Sequence, residues 1–192
     1  MNLIGLCEKL YSRYRVWRAR RAGMVMAEDC SITGLPFFGS EPYLITIGKQ
    51  VGIADGVSFI THDGGTRVFR HMDRYKNVLK YGRINILDNC VIGQRVIILP
   101  GVTIGPNSVV GAGSVVSRSI PADVLAAGNP AKPVMTLEQY AEWSLASTPE
   151  YDLEEYRRNK KAVLLKMYMR GTRRRPVGPE APVAGSEPGG AP

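Results

Sequence analysis

Ile86-Leu-Asp-Asn-Cys-Val, Ile92-Gly-Gln-Arg-Val-Ile, Ile98-Leu-Pro-Gly-Val-Thr, Ile104-Gly-Pro-Asn-Ser-Val, Val110-Gly-Ala-Gly-Ser-Val and Val116-Ser-Arg-Ser-Ile-Pro121 follow one another without a gap. The first slot is Ile or Val in all six units, and the fifth is Cys90, Val96, Val102, Ser108, Ser114 and Ile120, small or β-branched each time. A fixed short period of this kind predicts a mainly β chain wound as a parallel β-helix. Each unit reads as one short strand plus a sharp turn, with three units to a triangular coil. The aliphatic first slot points into the prism and stacks on its equivalent in the next coil. Gly93, Gly105 and Gly111 in the second slot relieve crowding at the corner and admit unusual backbone angles. Asn, Pro and Gly in the third and fourth slots supply turn chemistry. No coil buries its own face, so coils must stack.

A second run lies upstream: Ile47-Gly-Lys-Gln-Val-Gly, Ile53-Ala-Asp-Gly-Val-Ser, then Phe59. Met26 to Ile32 is a weaker start, with Cys30 in the small slot, and Gly34 to Tyr43 reads as an excursion. The units at 47 and 86 are 39 residues apart, which is not a multiple of six. Something other than coil therefore lies between about Thr61 and Asn85, and chemistry is expected there. Pro121, Pro130 and Pro133 lack the amide donor that a further coil would use, so Ala122 to Val134 is expected to end the prism.

The expected organisation is a basic helix over 1–22, a β-helix domain over 23–135 with its loop insertion at 61–85, helices over 136–170, and a disordered tail over 171–192. Residues 176–192 hold five Pro and four Gly with almost no large apolar side chain, a composition that cannot bury a core. Thr136-Leu-Glu-Gln139 reads as a capping box opening a short helix to about Ala146. Thr148 before Pro149 reads as the start of a second helix, running to about Arg170 with Leu153, Tyr156, Val163, Leu164 and Met167 as a partial apolar face. In residues 2–21, Leu3, Leu6, Leu10, Tyr14 and Trp17 recur at spacings of three and four, and Arg13, Arg15, Arg18, Arg20 and Arg21 cluster towards the end. That helix either packs on the domain or a neighbouring subunit, or lies on an anionic membrane surface.

The chain of 192 residues carries a net charge of +8, unevenly spread: +5 over residues 1–22, +2 over 23–135 and +1 over 136–192. A nucleic-acid binder would show a basic stripe on its folded core, so the near-neutral repeat region argues against nucleic acid. Cys30 and Cys90 fall in inward slots, where free Cys behaves as a small hydrophobe. With Cys7 the count is odd and nothing resembles a disulfide frame or Cys-rich metal site, which fits a reducing cytoplasm. No apolar stretch approaches the ~20 residues of a membrane span, and Glu8 and Lys9 interrupt what would be the apolar region of a signal peptide.

The two histidines, His62 and His71, both lie in the insertion. His62 sits in Thr61-His62-Asp63-Gly64-Gly65-Thr66, directly after the upstream coils. A His on a loop held by a rigid prism is well placed as a general base; the alternative is a surface His in a turn.

Phe38-Gly-Ser-Glu-Pro-Tyr43, Ile60-Thr-His-Asp-Gly-Gly65, the repeats at 86–121 and Ala126-Ala-Gly-Asn-Pro-Ala-Lys132 together resemble the hexapeptide-repeat acyltransferases with a left-handed β-helix. These include the galactoside, maltose, serine and xenobiotic acetyltransferases, and in particular the O-acetyltransferases associated with bacterial surface polysaccharides. The resemblance covers about residues 26–134. It implies a left-handed coil, against the usual right-handed crossover, and a homotrimer with each active site in a cleft between two prisms. It implies acetyl-CoA or a related acyl-CoA as donor, with no metal, and a carbohydrate hydroxyl as acceptor, on a cytoplasmic precursor of a surface polysaccharide. His62 matches the catalytic base, and the backbone amide of Gln94 the donor that meets the developing oxyanion. Ala112 matches the residue beside the pantetheine arm, and Ser117 and Arg118 the next contact region. Arg118 and Lys132 either face the donor's phosphates or are solvated turn charges.

Asp63 either orients His62 or caps the loop, while Glu41 and Tyr43 either shape the acceptor site or form a corner of the prism. Arg67, Arg70 and His71 would line the cleft if the loop folds over it. Many sugar acetyltransferases carry Trp where this chain has Val91, so a flat surface beside the donor is missing. A metal enzyme like the γ-class carbonic anhydrases is a rival on this fold, but its zinc site needs three protein ligands, supplied there as histidines, and this chain has two His in all. A non-catalytic scaffold, and N-acylation of an amino sugar or another small acceptor, are the remaining alternatives.

Overall fold

The computed structural model describes residues 3–169. Its helices are α1 (Leu3–Arg21), α2 (Leu137–Ser147), α3 (Leu153–Arg158) and α4 (Lys160–Met169). Thirteen short strands separate α1 from α2: β1 (Val25–Met26), β2 (Ser31–Ile32), β3 (Ile45–Ile47), β4 (Gly52–Ile53), β5 (Ser58–Phe59), β6 (Ile84–Ile86), β7 (Val91–Ile92), β8 (Ile97–Ile98), β9 (Thr103–Ile104), β10 (Val109–Val110), β11 (Val115–Val116), β12 (Val124–Gly128) and β13 (Ala131–Thr136). The chain falls into two compact units, one ending at Leu137 and the other starting at Glu138.

In the first unit the strands visit three sheets in rotation. The first sheet is ordered β1-β3-β6-β9, the second β2-β4-β7-β10-β12-β13 and the third β5-β8-β11, and Phe37 adds a bridge to Ser58 at the end of the third. Neighbours are parallel throughout except β12 and β13. Three parallel sheets entered in turn make a triangular prism. The expected inward slots are its core: Ile86, Ile92, Ile98, Ile104, Val110 and Val116 of the first slot, and Cys90, Val96, Val102, Ser108, Ser114 and Ile120 of the fifth, are all buried.

The corners follow a rule of their own, which only the last unit, with Ser119 in the slot, breaks. Gln50, Gly56, Asn89, Arg95, Gly101, Asn107 and Gly113, each in the fourth slot of its unit, all have positive φ. A side chain there is strained unless it is Gly or, to a lesser degree, Asn, so Arg95 at φ 56 is held against its preference. Gly93 in the second slot answers a different need. A Cβ on it would come within 2.6 Å of the Ala112 amide in the next coil. The buried hydroxyls are satisfied: Ser108 Oγ donates to the Pro121 carbonyl at 2.8 Å, and Ser114 Oγ accepts from the Gly128 amide at 3.1 Å. Both tie the irregular last turn to the regular stack.

Three expectations need correction here. The prism does not stop at Pro121. Ile120 bridges Ile104 and β12 pairs in parallel with β10, adding a further partial coil before β13 folds back antiparallel. The interruption ends earlier than Asn85, because Ile84 already pairs with Ile45. Cys30 is half-buried, its thiol donating to the Gly48 carbonyl at 3.0 Å.

α1 packs on the first coil with a different side from the one its apolar spacing suggests. Ser12 and Ala19 are buried, Val16 joins the core, and Leu6, Leu10, Tyr14 and Trp17 are exposed. Small residues let the helix approach closely, and Ser12 Oγ donates to the Gly34 carbonyl at 2.7 Å.

In the second unit the expected single helix from Pro149 is two. Thr148 spends its hydroxyl on the Ser144 carbonyl at 2.7 Å, so the N-cap falls to Asp152, which accepts from the Glu155 amide at 2.6 Å. Asn159, at φ −147 and ψ 70, breaks the run between α3 and α4, and Val163 is buried. The expected disordered tail over 171–192 lies outside the described residues.

Candidate active site

Two offsets organise the site. Regular coils advance by 18 residues, as between Asn85 and Thr103. The step from the second to the third coil takes 39, as between Lys49 and Asp88. The extra length leaves the prism at the corner between the third and first sheets, directly after β5, and returns at β6. Thr61, the first residue of this excursion, is buried, and the Gly82 amide donates to its carbonyl at 3.0 Å where the loop closes.

His62 stands at that neck. Its backbone bridges Tyr81 in antiparallel fashion, and the two rings lie 5.7 Å apart at 48°. Its Nδ1 is 2.9 Å from Glu41 Oε2. The same carboxylate oxygen accepts from Thr61 Oγ1 at 2.6 Å. Burial pushes the Glu41 carboxyl up, but hydrogen bonds from Thr61, His62 and Ser40 outweigh it and hold the group below its ordinary value. Glu41 is therefore an ionised acceptor near neutral pH, and Nδ1 is the donor in this pair. In the neutral imidazole that puts the proton on Nδ1 and leaves the Nε2 lone pair open. A half-exposed imidazole with a free Nε2, backed by a shielded carboxylate, can take a proton from a hydroxyl in front of it.

Glu41 is the residue whose link to His62 the sequence reading missed. A signal existed. Val25 pairs with Thr46 and Ile32 with Ile53, an offset of 21 residues, and Glu41 precedes His62 by the same 21.

Asp63 serves the loop. It accepts from the Gly65 amide at 2.9 Å and pairs with Lys80 Nζ at 2.8 Å. The Lys80 hydrogen bond, helped by the Gly65 amide, keeps its carboxyl below the ordinary value. Arg70 braces the same loop from inside, donating to the Val78 carbonyl and to Thr66 Oγ1 at 3.1 and 3.0 Å. His71 Nδ1 is 2.9 Å from the Val68 carbonyl, on the exposed side. Tyr43 is exposed, two residues after Glu41, in the 3-10 segment Pro42–Leu44 that Glu41 precedes.

The remaining candidates divide between two edges of the prism. Ser117 and Arg118 follow β11, so they lie on the corner that carries His62, two coils further on. Gln94 and Ala112 lie on the corner between the second and third sheets, stacked in successive coils, with the Gln94 carbonyl accepting from the Gly113 amide at 2.8 Å. Lys132 joins this second edge, opposite Ala127 in the closing hairpin. All five are exposed. Within one chain, His62 and Gln94 are thus on different corners, separated by the width of the third sheet. Val91 is exposed on β7. Among the described residues, no group of three His, Cys, Asp or Glu side chains is placed to hold a metal ion.

A prism of six-residue units with a carboxylate-backed histidine at the mouth of its long insertion defines the class: a hexapeptide-type β-helix with a candidate base at its corner. The family described as bacterial transferase hexapeptide (six repeats) matches residues 83–118. Protein CapG of Staphylococcus aureus is 43% identical over 153 residues, which is 79% of this chain and 87% of that one. The chain belongs to this hexapeptide-repeat family. Galactoside O-acetyltransferase of Escherichia coli is 45% identical over 93 residues, covering 48% of this chain and 44% of that protein. A solved galactoside acetyltransferase in complex with coenzyme A superposes with a TM-score of 0.45 at 29% identity, covering 62% of this chain and 67% of that one.

Proposed function

We propose that this protein is an acyltransferase that moves the acetyl group of acetyl-CoA to a hydroxyl of a carbohydrate acceptor. The observation that carries the reading is the Glu41–His62 pair, 2.9 Å apart, with no partner on Nε2 among the described residues, at the point where the repeat is interrupted. His62 Nε2 takes the acceptor's proton as the hydroxyl oxygen attacks the thioester carbon. The Glu41 carboxylate stabilises the imidazolium formed, and the proton then passes to the departing CoA sulfur. Relatives named as acetyltransferases, galactoside O-acetyltransferase among them, support both the reaction and the donor.

In this reading the coil is left-handed and the working unit is a homotrimer. The division of the candidates between two edges supports that assembly. A second copy must bring its Gln94 amide, with Ala112 and Lys132, across from His62 before one cleft holds base, oxyanion donor and CoA arm. Ser117 and Arg118 approach the same donor from the His62 side, with Arg118 and Lys132 on its phosphates. Tyr43 and Tyr81 offer rings on which a sugar can stack, and the loop braced by Asp63 and Arg70 forms the acceptor wall. The enzyme works in the cytoplasm, on a precursor carried at a membrane that residues 1–21 touch.

Calorimetric titration with acetyl-CoA tests the donor without any assumption about the acceptor. Saturable binding that weakens when Arg118 and Lys132 are replaced by Ala agrees with the assignment. Absence of binding at millimolar donor would sink it and leave an assembly scaffold. Release of free thiol against a panel of sugars then identifies the acceptor class, and His62→Ala must abolish it.

A further inference from the structure

α1 meets the first coil near all three corners of the prism. Arg20 Nη2 donates to the carbonyls of Met26 and Ala27 at 2.9 and 3.0 Å, on the corner between the first and second sheets. Ser12 reaches Gly34 on the next corner, and Gly23, just past the helix, closes against Tyr43 on the last. The helix therefore lies across the end of the prism. Ser12 and Ala19 face it at 9% and 6% exposure, whereas Leu10 and Trp17 are 56% and 55% exposed.

At 3.6 residues per turn, Leu6, Leu10, Tyr14 and Trp17 form one stripe on the side opposite Ser12. Arg13 borders that stripe on one flank, Arg18 on the other, and Arg21 closes its end. The rings of Tyr11, Tyr14 and Trp17 stack in series at 6.3 and 6.0 Å, and the Arg21 guanidinium lies 5.5 Å from the Trp17 ring. Residues 1–22 carry six basic residues and one acidic one.

We propose that this outer stripe is a docking surface for an anionic lipid bilayer. α1 lies in the plane of the headgroups, Leu6, Leu10, Tyr14 and Trp17 enter the acyl boundary, and Arg13, Arg18 and Arg21 meet lipid phosphates. Interfacial helices combine these features: aliphatic and Trp side chains on one face, Arg at its margins, and no length of apolar sequence able to span. Charge selects the bilayer over a second copy of the chain, because two such stripes face to face would bring two sets of arginines together.

The geometry adds avidity, a point that rests on the trimer proposed above. Prisms packed side by side leave their ends open, so three stripes share one end of the assembly and engage one surface together, a gain on the order of a hundredfold or more.

The test is co-sedimentation of the full-length protein with vesicles, without acetyl-CoA. Vesicles of equal parts phosphatidylglycerol and phosphatidylcholine should pellet it, and phosphatidylcholine alone should not. L10S/W17S should abolish binding, and R13Q/R18Q should weaken it at least about tenfold. All variants should keep the wild-type mass in solution and the wild-type affinity for acetyl-CoA. Wild type remaining in the supernatant with both vesicle types overturns the proposal, as does unaltered pelleting of L10S/W17S. A drop in oligomer mass on L10S/W17S assigns the stripe to a second copy and overturns it too. Calorimetry with acetyl-CoA on the same preparations separates failure of this surface from failure of the acyltransferase reading.

Discussion

The circuit from Thr46 to Asn85 and the circuit from Asn85 to Thr103 are successive turns of the same prism, the first closed in 39 residues and the second in 18. Apart from the exposed corner that carries Gln94, the short circuit is scaffold. Its inward slots are closed by Ile86, Cys90, Ile92, Val96, Ile98 and Val102, and its corners by Asn89, Arg95 and Gly101 in left-handed backbone. The long circuit holds its inward slots in the same way, but its surplus residues make a loop with bonds of its own: Asp63 to Gly65 and Lys80, Arg70 to Thr66 and Val78. A repeated unit commits its inward slots to core and its corners to tight turns, so it offers a cleft backbone amides and exposed corner side chains but no room for a loop of its own. The proposed base, His62, stands where the repeat is interrupted, and the neighbouring coil supplies its partner Glu41.

Substitutions on the two circuits should separate activity from stability. The largest effect is expected from His62→Ala, which should lower turnover roughly a hundred- to ten-thousandfold while leaving acetyl-CoA affinity unchanged; near wild-type thiol release would break the comparison at once. In the short circuit, Ile98→Ala should cost about 2–5 kcal/mol in denaturant unfolding. Val68→Ala, on the exposed surface of the loop, should stay within about 0.5 kcal/mol of wild type. Equal costs at the two positions would mean that the loop is part of the core.

Glu41→Gln keeps the shape of the pair and removes its charge, so turnover should fall about a hundredfold, the lower end of what a general base contributes. The same variant carries a pH signature. Because the folded state holds the Glu41 carboxyl below its ordinary value, the group's contribution to stability is complete above the unfolded carboxylate range and is lost as pH falls through the lowered folded value. Thermal unfolding from neutral to acid pH should show a shallower decline for Glu41→Gln than for wild type; parallel curves would contradict the assignment. The smallest effect is a gain. Arg95→Gly releases left-handed strain in the short circuit and should add up to about 1 kcal/mol, part of it offset by the greater chain entropy of glycine.

The stack was legible because two of every six slots repeat their chemistry, and a period survives any uncertainty about where a strand begins. The place of His62, at the neck of the loop, was legible because the interruption of that period isolates it. Glu41 was not. It sits one coil away, and its distance in sequence matters only once the 21-residue offset between the first two coils is known. Asp63, next to His62 in the chain, turns instead to Gly65 and Lys80, since adjacent residues in a turn point apart. The break at Asn159 was hidden because the apolar positions on either side of it continue as though one helix ran through.

By itself the sequence determined the prism, nearly all of its inward side chains and corners, and, to within a residue or two, where it is interrupted, because these follow from a local pattern repeated through six units. Only the tertiary structure decided which carboxylate backs His62, which two edges share the candidate residues, and which way α1 turns. Those depend on which distant residues stack at one corner, and on whether close approach by Ser12 and Ala19 is worth more at the end of the prism than burial of Leu10 and Trp17.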